Sequence, residues 1–128
     1  MSDLGLAGII TAAAISTFGL VAFASDYSKE EIAEIAADAN LDPAVLTLAG
    51  DPEYGEYLSG ECTTCHQTSG DYDGIPPIVG YDEVFFKVAM HEYKQETREH
   101  PVMRMIAGRL ADDEIAALAA YFSQLQPE

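Results

Sequence analysis

Cys62-Thr63-Thr64-Cys65-His66 is where residue type and spacing together dictate chemistry in this chain. Two thiols three residues apart on one helical turn can both form thioether bonds to the vinyl-derived carbons of haem. The next residue then offers an imidazole to the iron. This is the attachment motif of c-type haem. With two cysteines and three histidines in 128 residues, chance placement gives the arrangement with a probability on the order of 0.0004. The rival readings lack support. A thioredoxin-like redox pair needs a βαβ context, and the pattern shows none. A zinc site needs a further Cys or His pair, and none is suitably spaced. A disulfide between Cys62 and Cys65 would close a tight, strained loop.

An iron held by His66 has a second axial position to fill. Downstream candidates are Met90, His91, His100, Met103 and Met105. Met90 and His91 fall inside an expected helix, where Met is usually core filler. Pro101 interrupts the pattern just before Met103, as expected of a loop carrying a ligand.

The elements that must position these residues read as helices. Residues 52–61 suggest a short helix ending at the cysteines, and 67–80 a loop rich in Gly, Asp and Pro. Residues 81–98 read as a helix opened by Asp82, with Val84, Phe85, Val88, Ala89 and Tyr93 as its apolar stripe. In 112–124, Ile115, Leu118, Ala119 and Phe122 recur at helical spacing. No alternating run argues for a sheet, so the expected class is all-α, with a compact domain over 51–128.

Upstream, Leu4 to Ala24 is an uncharged run of 21 residues. As a helix it would rise about 31 Å, enough to cross a bilayer. It reads as a membrane anchor over 1–24; a cleaved signal ending at Ala22-Phe23-Ala24 is the rival. The anchor is favoured because the run is long and is preceded by Asp3 rather than by a base. Gly8, Ala12 and Ser16 form a small-residue stripe on this helix, which predicts a partner transmembrane helix. Residues 25–50 contain a capping box, Ser28 with Glu31, and the short stripe Ile32, Ile35 and Ala36. Ten acids and a single base, Lys29, lie between Asp26 and Glu61. That density predicts a solvated, semi-stiff acidic tether over 25–50.

The net charge of −16 excludes nucleic acid and polybasic lipid contact. The stretch from Tyr81 to Arg109 is balanced, with five acids and five bases. Arg98, Arg104 or Arg109 is therefore the expected neighbour of haem propionates.

Met103-Arg104-Met105-Ile106-Ala107-Gly108-Arg109-Leu110, followed by Glu114-Ile115, Leu118 and Tyr121-Phe122, resembles the ligand loop and last helix of class I cytochromes c. The likeness is greatest to the haem subunit of flavocytochrome c sulfide dehydrogenase and related dihaem cytochromes, and it spans about residues 51–124. It implies that Met103 is the sixth ligand, with Met105, expected to pack nearby, as the runner-up. Pro76-Pro77-Ile78-Val79-Gly80 matches the family's Pro-x-apolar-x-Gly stretch, which implies that the Pro76 carbonyl accepts a hydrogen bond from the His66 ring. Such a bond orients the ring and raises its basicity. Two departures stand out. Ala111 occupies a position that is often a Ser or Thr cap, so Asp112 is expected to cap the last helix. Gly55 and Leu58 sit differently relative to Cys62 than in many mitochondrial-type members. The resemblance also implies haem attachment on the outer face of a bacterial cytoplasmic membrane.

The function expected is one-electron transfer by a membrane-anchored cytochrome with one covalently attached haem c. His/Met ligation leaves no site for substrate, so no enzyme activity is expected. Its partner would be a redox protein or membrane complex. Alternatives are a subunit accepting electrons from a sulfide-oxidising flavoprotein, a periplasmic carrier freed by signal cleavage, and a sensor or peroxidase if Met103 does not bind iron.

Overall fold

The computed structural model describes residues 27–71 and 74–127. Among these, α1 (Lys29–Asp38), α2 (Pro43–Thr47), α3 (Pro52–Leu58), α4 (Gly60–Thr63), α5 (Glu83–Lys94), α6 (Pro101–Ala107) and α7 (Asp112–Gln124) form the secondary structure, and no strand is present. The expected all-α class is observed. No helix among the described residues is long and apolar enough to cross a membrane. The Leu4–Ala24 run, with its Gly8, Ala12 and Ser16 stripe, lies outside them.

Helix starts follow local chemistry. Asp42, Asp51 and Asp82 each accept hydrogen bonds from first-turn amides through Oδ1, at 2.9 Å from Ala44, Glu53 and Val84. Pro43, Pro52 and Pro101 supply a preset φ at the first turn. The Ser28–Glu31 box forms as expected: Ser28 Oγ accepts from the Glu31 amide at 3.2 Å and Glu31 Oε2 from the Ser28 amide at 2.7 Å. α7 departs from expectation. Its N-cap is Ala111, not Asp112, and Glu114 Oε2 accepts from the Ala111 amide at 2.8 Å. Ala111 has no side-chain oxygen to return the bond, so only half of a capping box exists.

α7 is the centre of the molecule. Ile115, Leu118, Ala119 and Phe122 are buried against Phe86 and Met90 of α5, together with Val79 and Ala107. The Phe86 and Phe122 rings stack with centroids 5.9 Å apart. Each large side chain buried here contributes roughly 1.5–3 kcal/mol. α3 crosses α7 at Gly55, where a Cβ would collide with the Ala117 carbonyl. That contact fixes where α3 and α7 cross. Only glycine permits so close a backbone approach.

Two expectations are corrected here. The residues read as a solvated tether are, from Tyr27 to Gly50, part of the folded body. Ile32, Ala36, Leu41 and Leu46 form a second buried cluster with Val84 of α5. The acids Glu30, Glu31, Glu34 and Asp38 are all exposed, so the charge sits on the solvent side of an amphipathic helix. The stripe on α5 also differs. Val84, Phe86, Lys87, Met90 and His91 are buried, whereas Phe85 is exposed. α5 packs on both α7 and α2, so it buries two faces, and a single-stripe reading selects residues between them.

Lys87 ties these layers together. Its amine donates to the carbonyls of Leu46 (3.2 Å) and Leu48 (2.8 Å) and to Glu83 Oε1 (2.7 Å). The charge is buried but fully engaged, which is the condition for tolerating it.

Candidate functional site

α4 and the residues after it make one tight turn. The Cys62 amide donates to the Ser59 carbonyl at 2.9 Å. The Cys62 carbonyl in turn accepts from the amides of Cys65 (3.1 Å) and His66 (2.8 Å). The helical hydrogen bonds therefore continue through the motif, and both cysteines are free thiols. Burial, and secondarily the neighbouring Glu61 carboxylate, push the Cys62 thiol up to about 11. A thiol held protonated in this way is a poor redox nucleophile. Among the described residues, no group of three or more His, Cys, Asp or Glu side chains can hold a metal ion.

His66 Nδ1 lies 2.7 Å from the Pro76 carbonyl oxygen. A carbonyl only accepts, so Nδ1 carries the proton and Nε2 is left as the basic nitrogen. The loop that brings Pro76 into place is pinned at its end, where the Gly80 amide donates to the Phe122 carbonyl at 2.8 Å. Gly80 has φ +68°, a conformation that favours glycine.

Met103 is half-buried on α6 and packs against the α7 cluster, the same cluster that Cys62 abuts. The expected ligand loop is instead helical: His100 Nδ1 accepts from the Met103 amide at 3.3 Å, and Pro101 begins the helix rather than breaking it. The other candidates are placed elsewhere. Met90 is buried in the core, and Met105 is 58% exposed. His91 is buried on α5, and its Nε2 has no hydrogen-bond partner. Burial lowers the His91 pKa; the Asp112 carboxylate opposes this, while Lys94 and Lys87 add to it.

Around Met103 the chain is tied in place. Arg104 Nη2 donates to the Glu96 carbonyl and to Glu99 Oε1, both at 2.7 Å, and its Nε donates to the Arg98 carbonyl at 2.8 Å. Lys94 Nζ donates to the Leu110 carbonyl (2.7 Å) and to Asp112 (2.9 Å). The hydrogen bond from Lys94 lowers the Asp112 pKa. Arg109 pairs with Glu61 at 3.3 Å, and Arg98 pairs with Glu92 while lying over the Tyr93 ring. The arginines expected beside propionates are thus held by protein partners, Arg104 most completely.

No family model matches the chain. It is 33% identical to cytochrome c-554(548) of Halomonas halodenitrificans, over 59% of this chain and 96% of that protein. The chain belongs to the c-type cytochromes. It is also 35% identical to the cytochrome subunit of sulfide dehydrogenase of Chlorobaculum tepidum, over 56% of this chain and 66% of the relative. Cytochrome c4 of Pseudomonas aeruginosa is 30% identical over 59% of this chain and 38% of its own length. The chain therefore spans nearly all of one relative, about two thirds of another and little over a third of the third.

For a c-type cytochrome the donor set fits. It comprises two free thiols on one turn, an imidazole with Nε2 left basic, and a thioether on the same core. Leu58, Cys62, Ile78, Tyr93, Met103 and Leu110, with Tyr121 and Leu125, are apolar yet only partly buried against that core. Of these, Ile78 is legible in the Pro-Pro stretch and Tyr93 in the α5 pattern. Leu110 is legible as the end of the Met103–Leu110 stretch, and Leu58 through its offset from Cys62. A groove of about 450 Å³, lined by Tyr27, Leu46, Pro52, Val84 and Lys87 among others, includes none of the predicted site residues.

Proposed function

We propose that this cytochrome carries one haem c, bonded through Cys62 and Cys65 and ligated by His66 and Met103, and passes single electrons between redox proteins. The observation that carries the reading is the 2.7 Å contact from His66 Nδ1 to the Pro76 carbonyl, because it leaves only Nε2 free to bind. When bound, haem iron with His/Met ligation supplies a one-electron couple of raised potential and no open coordination site. The protein's own part is to hold the imidazole by Pro76 and the thioether by α6.

The proposed location is supported by the uncharged run Leu4–Ala24 and by the family resemblance. Residues 1–24 anchor the chain in the cytoplasmic membrane, packed on a partner transmembrane helix, with the haem domain on the periplasmic side. Anchoring raises the effective concentration of a partner in the same membrane. A second reading, a subunit receiving electrons from a flavoprotein, is favoured by the likeness to the cytochrome subunit of sulfide dehydrogenase. Under either reading the chain is a carrier rather than an enzyme.

Intact-mass spectrometry of protein from native membranes tests both parts. One haem per chain, retained after denaturation and lost in the Cys62→Ser, Cys65→Ser double variant, is the expected result. A mature N-terminus retaining residues 1–24 is expected for the anchor, whereas a start at Ser25 replaces it with the freely diffusing carrier.

A further inference from the structure

The outer face of α3 carries a feature that the haem site does not use. Tyr57 is 83% exposed. Its ring stacks on Tyr54, with centroids 6.4 Å apart and planes 13° from parallel. The Tyr54 hydroxyl donates to Glu114 Oε1 at 3.2 Å, which fixes the pair relative to α7. α3 spends its inner face, Gly55 and Leu58, on the core. Tyr57 adds nothing to that packing, yet an aromatic ring is held in water where a polar residue would serve the fold equally well. Tyrosines so presented are typical interface anchors.

The charge around it has one sign. From Asp51 to Glu61 the acids are Asp51, Glu53, Glu56 and Glu61, with no base. Arg109 compensates Glu61 alone among them. The face ends five residues before Cys62, beside the turn that carries the attachment motif. We infer that the outer face of α3, centred on Tyr57 and flanked by Glu53 and Glu56, docks the basic surface of a redox partner protein. The acids steer a cationic partner into encounter, and the Tyr57 ring accepts a Lys or Arg by cation–π contact. The chain's net charge of −16 opposes a second copy or an anionic lipid as occupant. The inference rests on the haem reading for its purpose, while its geometry stands apart from it.

The test is an NMR titration of ¹⁵N-labelled, natively matured, reduced protein with reduced horse heart cytochrome c as the basic probe. Amide shifts concentrated in residues 51–61 and abolished by salt are expected. Tyr57→Ala should weaken probe binding about fivefold or more, and Glu53→Lys with Glu56→Lys should remove it. Both sites are exposed, and circular dichroism verifies that the variants fold. Shifts centred elsewhere, unchanged binding in both variants, or shifts that grow with the chain's own concentration would overturn the inference. The absorption spectrum of the same sample reads the haem separately. A colourless sample that still shows the α3 shifts keeps the docking face and removes the haem reading.

Discussion

The cluster around α7 and the cluster around α1 and α2 use the same kinds of apolar residue but are finished differently. The second is small, built from Ile32, Ala36, Leu41 and Leu46 with Val84, and the Lys87 amine binds the carbonyls beside it. The first is larger. The partly buried residues at its edge include Cys62 and Met103, whereas those at the edge of the second, Tyr27, Ile35, Ala39, Val45 and Val88, include no predicted ligand. The difference separates scaffold from site. α7 and its partners hold the chemistry, whereas α1 and α2 stabilise α5 from behind.

Substitutions can break this contrast. The largest expected effect is Phe122→Ala, which removes a fully buried ring from the α7 cluster and should cost about 3–5 kcal/mol. Denaturant unfolding reads the loss, and a disturbed haem spectrum should accompany it. Leu46→Ala in the second cluster should cost about 2–3 kcal/mol and leave the spectrum unchanged. Equal spectral damage from both would mean that the two clusters are one. Next is Lys87→Met, which fills similar volume but leaves the Leu46 and Leu48 carbonyls without their donor. A loss of about 1–3 kcal/mol is expected, seen as a lower unfolding midpoint.

A smaller effect is set by pH. His91 is buried with Nε2 unpartnered, and its pKa lies below the ordinary 6.5. Above 6.5 neither folded nor unfolded chain is protonated there, and the full stability is present. As pH falls through 6.5 the unfolded chain takes up the proton first, so stability declines until the folded value is passed. His91→Leu should flatten this acid limb in unfolding curves recorded from pH 7.5 to 5. An unaltered limb would assign it to other groups.

Much of this was legible in the chain, for identifiable reasons. In residues 112–124 the large side chains Ile115, Leu118 and Phe122 recur at helical spacing while the buried positions between them, Ala116, Ala117 and Ala120, are small, so one stripe stays legible, and the helix runs over the residues expected. The Cys62–His66 motif is local, so its turn needed no tertiary information. The second cluster was hidden because its apolar residues are spread over short helices amid the six acids of residues 25–50, and charge density reads as solvation. α5 misled because two buried faces blur a single stripe. Pro76 was legible only through family resemblance, since nothing in its own residue type requires a bond to a ring ten positions away. The expectation for Met103 rested on Pro101 opening a loop, whereas Pro101 starts a helix there.

The central claim is that His66 nitrogen and Met103 sulfur would both ligate the iron of one covalently held haem. The most direct test is the far-red sulfur-to-iron charge-transfer absorption of the oxidised, natively matured protein, compared with Met103→Ala. The account predicts the band in the wild-type protein and its loss in the variant, with the reduced variant then binding carbon monoxide. A band that survives Met103→Ala, or a wild-type protein that lacks it and binds carbon monoxide, would contradict the assignment.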